Sequence, residues 1–449
     1  MVRIQFIVHR VYISSGLAGL CLLLAAASFA HSQPGLQFPP MPSDAGPPPT
    51  ILDRYPENPS LPPTFTISVG PLGFSIPGEH YLLRHQSLVS LDFLDEDRVL
   101  FTFRVSGLMQ RDADDKSDDE KQQIQALVLA LPSGKIESRA RWIVADRSRY
   151  LWMLNDGHFL LRVPDGLDEG DAQLRMKPYL RLPGRLLWIE MDPRQQVMIT
   201  NSLEPAIASQ KPGEAGPPVT ESPTATANGQ KPGEQSVLVA RTHKRSSGEV
   251  MLVSRVPWTF QTSDWPINSE GYLEKSQDRA NQWLLKLDYF SGGGRVLARI
   301  ESTCPPEYNF ISESELLLTK CDPYSRWKLG AMLTRGDLLW EARTATNAIL
   351  PLLVMAPNSS RVARETLLLK RSADRYKRMI GARDFEGQMV KVHDAANGKI
   401  VLKAPLTPVL DGGGNVAISP SGQRVAILNE GAIQVFQLPA PPPPPSGIH

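Results

Sequence analysis

Val416-Ala-Ile-Ser-Pro-Ser-Gly-Gln-Arg-Val-Ala-Ile-Leu428 reads as a strand, a tight turn and a second strand. The flanking triplets are apolar enough for a buried sheet, and Ser-Pro-Ser-Gly supplies the turn. The same layout recurs upstream. Val89 to Phe103 (VSLDFLDEDRVLFTF), Trp142 to Leu154 (WIVADRSRYLWML), Trp188 to Asn201 (WIEMDPRQQVMITN), Tyr308 to Cys321 (YNFISESELLLTKC) and Leu352 to Val362 (LLVMAPNSSRV) each place a polar turn between two apolar runs. Apolar residues that alternate or run continuously over so few positions are the signal of strands, not of helices.

A second pattern falls between these copies. Leu127 to Ile136, Val237 to Val253, Leu284 to Ile300, Leu329 to Trp340 and Val390 to Leu402 are strand pairs around a glycine-bearing turn. Glycine provides the positive φ that a tight hairpin needs. Two hairpins per unit make a four-stranded blade, and a recurrence of roughly 40 to 60 residues is the period of a β-propeller. The expected fold is therefore all-β: a propeller of seven four-stranded blades over residues 64–438, with one blade in the wide gap between Trp188 and Tyr308. The last unit has only three strands of its own before the chain turns proline-rich. An N-terminal strand must close the ring, and Tyr81-Leu-Leu-Arg-His-Gln86 is the candidate.

The Ser419-Pro-Ser-Gly422 turn resembles the strand turn of WD40-like bacterial propellers. His393-Asp-Ala-Ala-Asn-Gly-Lys399 and Gly336-Asp-Leu-Leu-Trp340 are similar to the turns of quinoprotein-type propeller repeats, with Trp340 as the docking tryptophan. The resemblance spans about Tyr81 to Leu438. It departs from the eukaryotic WD40 pattern in having no Trp-Asp strand end, and from quinoprotein enzymes in having only one docking tryptophan. It implies a fold and carries over no active site.

The ends of the chain point to export. Arg3, His9 and Arg10 precede the apolar run Val11 to Phe29, and Ser28-Phe29-Ala30 offers the small residues of a cleavage site. Residues 1–30 are expected to be a signal peptide; the alternative, a retained anchor, is consistent with the length of the run. Cys21 belongs to the leader, because Leu20 stands where a lipoprotein site takes a small residue. Residues 31–63 are a proline-rich linker, 202–235 a disordered insertion containing the duplicated Gln-Lys-Pro-Gly-Glu, and 439–449 a proline-rich tail. Past the leader only Cys304 and Cys321 remain, and a disulfide between them suits an oxidising compartment.

Chemistry is sparse. The 48 basic and 47 acidic residues balance to a net charge of +1, so no steering toward nucleic acid is expected. The run Asp112, Asp114, Asp115, Asp118, Asp119 and Glu120 lacks the central glycine of a calcium loop and reads as a solvated hairpin tip. No Gly-x-Ser-x-Gly elbow, His-Glu-x-x-His, Walker A or dinucleotide fingerprint occurs. The eight histidines are scattered, so no catalytic residue, metal or cofactor is assigned. Trp258, Trp265 and Tyr272 form a candidate binding loop, with wedging between adjacent blades as the alternative. The expected function is binding: a monomeric exported propeller presenting loops on one face to a protein, peptide or glycan, with no membrane span after leader removal. The alternatives are a propeller enzyme (a quinone-cofactor dehydrogenase, lyase or hydrolase with its site in the channel) and a structural component of an envelope assembly.

Overall fold

The computed structural model describes residues 50–52, 61–77, 88–105, 121–145, 149–205, 236–257, 265–323, 327–343, 348–370, 384–410 and 412–441. Two strands precede the repeats, β1 (Thr50–Leu52) and β2 (Phe65–Ser68). The first blade comprises β3 (Ser90–Phe93), β4 (Arg98–Arg104), β5 (Lys121–Ala130) and β6 (Lys135–Ala145). The second comprises β7 (Leu151–Met153), β8 (Phe159–Val163), β9 (Gly166–Gly170) and β10 (Met176–Arg181). The third comprises β11 (Arg185–Met191), β12 (Val197–Pro205), β13 (Ser236–Lys244) and β14 (Glu249–Pro257). The fourth shows β15 (Gly271–Arg279), β16 (Gln282–Tyr289) and β17 (Gly294–Glu301), preceded by a bridge from Ile267 to Tyr272. The fifth comprises β18 (Glu307–Phe310), β19 (Glu315–Cys321), β20 (Trp327–Leu333) and β21 (Leu338–Arg343). The sixth comprises β22 (Ala348–Met355), β23 (Arg361–Leu369), β24 (Phe385–Asp394) and β25 (Ile400–Leu406). The seventh holds β26 (Val416–Ile418), β27 (Arg424–Asn429) and β28 (Ala432–Gln437). Consecutive strands pair antiparallel within each sheet, and the fold is a seven-bladed β-propeller.

The fourth strand of the last blade is β2, which pairs antiparallel with β28 from Phe65↔Val435 to Ser68↔Ala432. The closure thus comes from an N-terminal strand, but Phe65–Ser68 fills the place expected for Tyr81 to Gln86, which lies outside the described residues. Phe65-Thr-Ile-Ser68 suits that role physically, because Ile67 points inward to the core while Thr66 and Ser68 stay exposed. Three further boundaries differ from the sequence reading. The Trp142–Leu154 copy joins the end of β6 to β7 across a blade boundary, and the inner hairpin of the second blade is Leu151 to Val163. β12 carries on to Pro205, pairing Ser202 with Val239 and Glu204 with Val237, so the first four residues of the 202–235 tract are strand. Within 31–63, Thr50–Leu52 adds a parallel fifth strand to β21.

Closure is visible in the core, because one apolar cluster fills each of the seven junctions between neighbouring blades. Side chains alternate along β3, so Leu91 and Phe93 pack toward Ala417 and Leu428 of the last blade, while Leu88 and Leu94 pack toward Leu151 and Phe159 of the second. Clusters around Leu160 and Met198, Leu285 and Leu316, Leu317 and Trp340, and Ala363 and Val425 fill four more junctions. The junction of the third and fourth blades is the leanest: Val197, Ile199, Ala240 and Ile267, with Trp265, Tyr272 and Phe290 beside them.

Trp340 behaves as the quinoprotein resemblance implies. It is fully buried, its Nε1 donates to Ala395 O at 2.7 Å in the next blade, and its ring stacks on His393 with centroids 6.1 Å apart. Gly398 must be glycine for this: its φ is +72°, and a Cβ would stand 2.5 Å from the indole. His393 Nδ1 lies 3.0 Å from Gly398 O, and His243 Nδ1 lies 3.1 Å from Gly248 O in the third blade. These two histidines hold equivalent hairpin turns. Burial lowers the basicity of both, His393 to about 3.

Antiparallel order sends the first-to-second and third-to-fourth strand turns of every blade to one end of the ring and all other connections to the opposite rim. The turn end is short and stitched together. Ser421 N donates to Glu96 Oε1 at 2.7 Å, Asn358 Nδ2 to Ser421 O at 2.7 Å, and Asn155 N to Gln195 Oε1 at 2.7 Å. The strand pairs β4–β5, β12–β13 and β23–β24, whose linking residues fall outside the described ones, have their open ends at the rim. Cys304 and Cys321 meet at this rim at bonding distance, with Cα atoms 5.5 Å apart and a sequence separation of 17. A bridge closing a loop of that size restricts the unfolded chain by about 3 kcal/mol. Reduction, or Cys304→Ser with Cys321→Ser, is expected to lower the urea midpoint accordingly; unchanged denaturation curves would count against the bridge.

Candidate functional site

The innermost strands surround a channel of about 400 Å³. Its wall is mostly apolar and backbone, with polar side chains that include Ser90 and Asp92 of β3, Arg149 just before β7, Arg162 of β8, Glu190 of β11, Asp192 just after it and Asn309 of β18. Three of these occupy one position of the repeat. The backbone bonds Leu94 N–Arg98 O (3.0 Å), Asp192 N–Val197 O (3.1 Å) and Ile311 N–Glu315 O (2.8 Å) mark equivalent turns. Asp92, Glu190 and Asn309 each stand two residues before the donor. The same position holds Trp152, Val354 and Ala417 in other blades. Comparing the copies column by column is the signal that reveals these residues; composition and motif spacing do not.

Arg149 enters the channel at its rim end. Tyr150 anchors the start of β7, its hydroxyl 2.5 Å from Thr102 Oγ1 and donating to Leu88 O at 3.2 Å. Arg149 Nε donates to Leu151 O at 2.8 Å, which fixes the guanidinium. Two guanidiniums stand over Trp152, with Arg149 Cζ 5.8 Å and Arg162 Cζ 5.6 Å from its ring, and Arg162 also donates to Leu187 O. The electron-rich face of the indole offsets part of the cost of holding two cations out of water.

Asp92 faces this corner from the first blade. Ser90 Oγ donates to its Oδ2 at 2.5 Å. Burial pushes the carboxyl up to about 6, against the opposing pull of Ser90 and Arg149. Burial likewise lowers Arg149, while Asp92 and Glu190 act in the opposite direction. The channel therefore holds a cation flanked by carboxylates from the two neighbouring blades. Asp92 and Arg149 form no direct ion pair among the described residues.

The candidate loop residues are placed elsewhere. Trp265 and Tyr272 come together with ring centroids 6.1 Å apart, half-buried in the lean junction of the third and fourth blades, and Tyr272 continues to Phe290 at 6.4 Å. Trp258 and the acidic run 112–120 lie outside the described residues. Among the described residues no group of three or more His, Cys, Asp or Glu is arranged to hold a metal ion. None of their helices is long and apolar enough to cross a membrane.

A closed ring of seven blades around a lined channel defines the chain as a β-propeller protein. No protein-family model matches it, and no curated protein matches it. Solved structures similar to it include the acylaminoacyl peptidase of Pyrococcus horikoshii, at 11% identity and a TM-score of 0.43, covering 80% of this chain and 52% of that one. Another is the WD40 domain of Toxoplasma gondii coronin, at 8% identity and a TM-score of 0.42, covering 87% and 86%. An uncharacterized protein of Listeria monocytogenes matches at 10% identity and a TM-score of 0.42, covering 81% and 97%. The chain spans about half the length of the peptidase. The likeness is one of fold alone.

Proposed function

We propose that the protein is an exported, monomeric binding propeller that presents its rim to a protein, peptide or glycan and uses the rim end of the channel as part of its recognition surface. The observation that carries this reading is the asymmetry of the two ends: turns hydrogen-bonded to one another at one end, and the Arg149 entrance to the channel at the other. Binding residues concentrate on connections held by a rigid scaffold. The disulfide pair suits an oxidising compartment, in keeping with the leader-like start. Asp92 and Glu190 in one cavity also favour the second reading, a propeller enzyme using a carboxylate as general acid or base.

Position-resolved photo-cross-linking in the cell separates the two ends. A benzophenone side chain at Ala280 or Glu430 sits on a rim turn, whereas at Asn397 or Gln423 it sits on a turn-end hairpin; all four positions are exposed. Discrete adducts are expected from the rim pair alone. Equal labelling from the turn-end pair would contradict the reading.

A further inference from the structure

We infer that the channel is a binding site for a small zwitterion carrying an ammonium and a carboxylate a few bonds apart, of the size of an amino acid or dipeptide. The inference rests on reading the propeller as a binding module, but not on what its rim contacts. Its basis is the arrangement of opposite charges around one cavity. Arg149 has its Nε committed to Leu151 O, and Asp92 has its Oδ2 committed to Ser90 Oγ. The two half-buried groups line the same channel from neighbouring blades and influence each other's protonation without meeting in an ion pair. A structural pair would close to contact, because that contact is what repays desolvation. Held apart, the guanidinium offers its remaining donors to a carboxylate in the fork geometry that suits it, and the Asp92 carboxylate offers an acceptor to an ammonium.

Simple ions fit less well. An anion drawn to Arg149 meets the fields of Asp92 and Glu190, and a cation drawn to Asp92 meets Arg149, with Arg162 also on the wall. A ligand with both charges satisfies both walls. The volume of about 400 Å³ lies at the small-molecule end of the range for ligand sites. Met153 and Met355 on the wall supply adaptable apolar surface for a side chain, and Asn309 a neutral hydrogen-bonding group.

The test is calorimetric titration of the mature full chain with glycyl-leucine, its N-acetyl form and its C-terminal amide. The unmodified dipeptide is expected to bind, and each capped form to bind at least tenfold more weakly. Arg149→Gln and Asp92→Asn should each weaken the dipeptide at least tenfold while thermal melting stays cooperative. Equal binding of either capped form would reduce the site to a single-charge site and overturn the inference. So would the absence of heat with glycyl-leucine at millimolar concentration. If that absence is accompanied by persistent rim cross-links, the channel site falls and the binding module stands.

Discussion

A chain beginning at Leu88 is expected to lose its cooperative fold and associate, whereas one beginning at Thr50, which keeps β1 and β2, should match the full chain. The shorter chain lacks β2, so β28 presents an unpaired edge, and exposed edges recruit other chains. It also lacks Ile67, Val69 and Phe74, all buried in the junction of the last and first blades. Phe74 packs against Phe101 and Phe103 with ring centroids 5.5 and 5.6 Å away. Burying three such side chains contributes about 5–9 kcal/mol, comparable to the whole stability of an ordinary domain. Light scattering and urea denaturation of the two chains decide the matter. A monomeric Leu88 chain with an unchanged midpoint would mean that β2 does not close the ring.

Replacing Trp340 with alanine is expected to cost about 3–5 kcal/mol, the range for removing a large buried aromatic side chain. The indole is the largest fully buried side chain among the described residues, and its loss leaves Ala395 O without its donor and His393 without its stacking partner. Gly398→Ala attacks the same junction from the other side. The added Cβ meets the indole at 2.5 Å, on a backbone at φ +72° that disfavours any side chain. The two losses should be less than additive, since each disrupts the same contact. Full additivity in a double-mutant cycle would show that Trp340 does not dock on this turn.

The all-β class and the seven blades are legible in the chain because hairpin turns repeat at a regular interval and Trp340 ends one of them. The closing strand is harder to read. β2 is four residues long and lies among prolines, and what singles it out is the partner it finds at β28, at the opposite end of the propeller sequence. The Trp142–Leu154 misreading has a similar origin: apolar alternation marks strands but not whether the next strand pairs with the last or starts a new blade. The channel residues were hidden because Asp92, Glu190 and Asn309 look like ordinary polar positions of amphipathic strands. Only closure of the ring brings them around one cavity.

The same closure gives the cluster a thermodynamic signature. Groups retained for recognition often cost stability, and neutral replacements then stabilise the fold. Burial raises Asp92 from 3.8 to about 6, so the folded state holds its proton more tightly than the unfolded chain does. Stability is therefore lost as pH rises from about 4 to about 6 and stays lower above that window. Asp92→Asn keeps the acceptor for Ser90 and removes the charge. The direct measurement is urea unfolding of parent and Asp92→Asn at pH 8 and pH 4. The account predicts a variant more stable by about 1–3 kcal/mol at pH 8 and close to the parent at pH 4. A variant less stable than the parent at both values would make Asp92 a structural residue and contradict a channel built for a ligand.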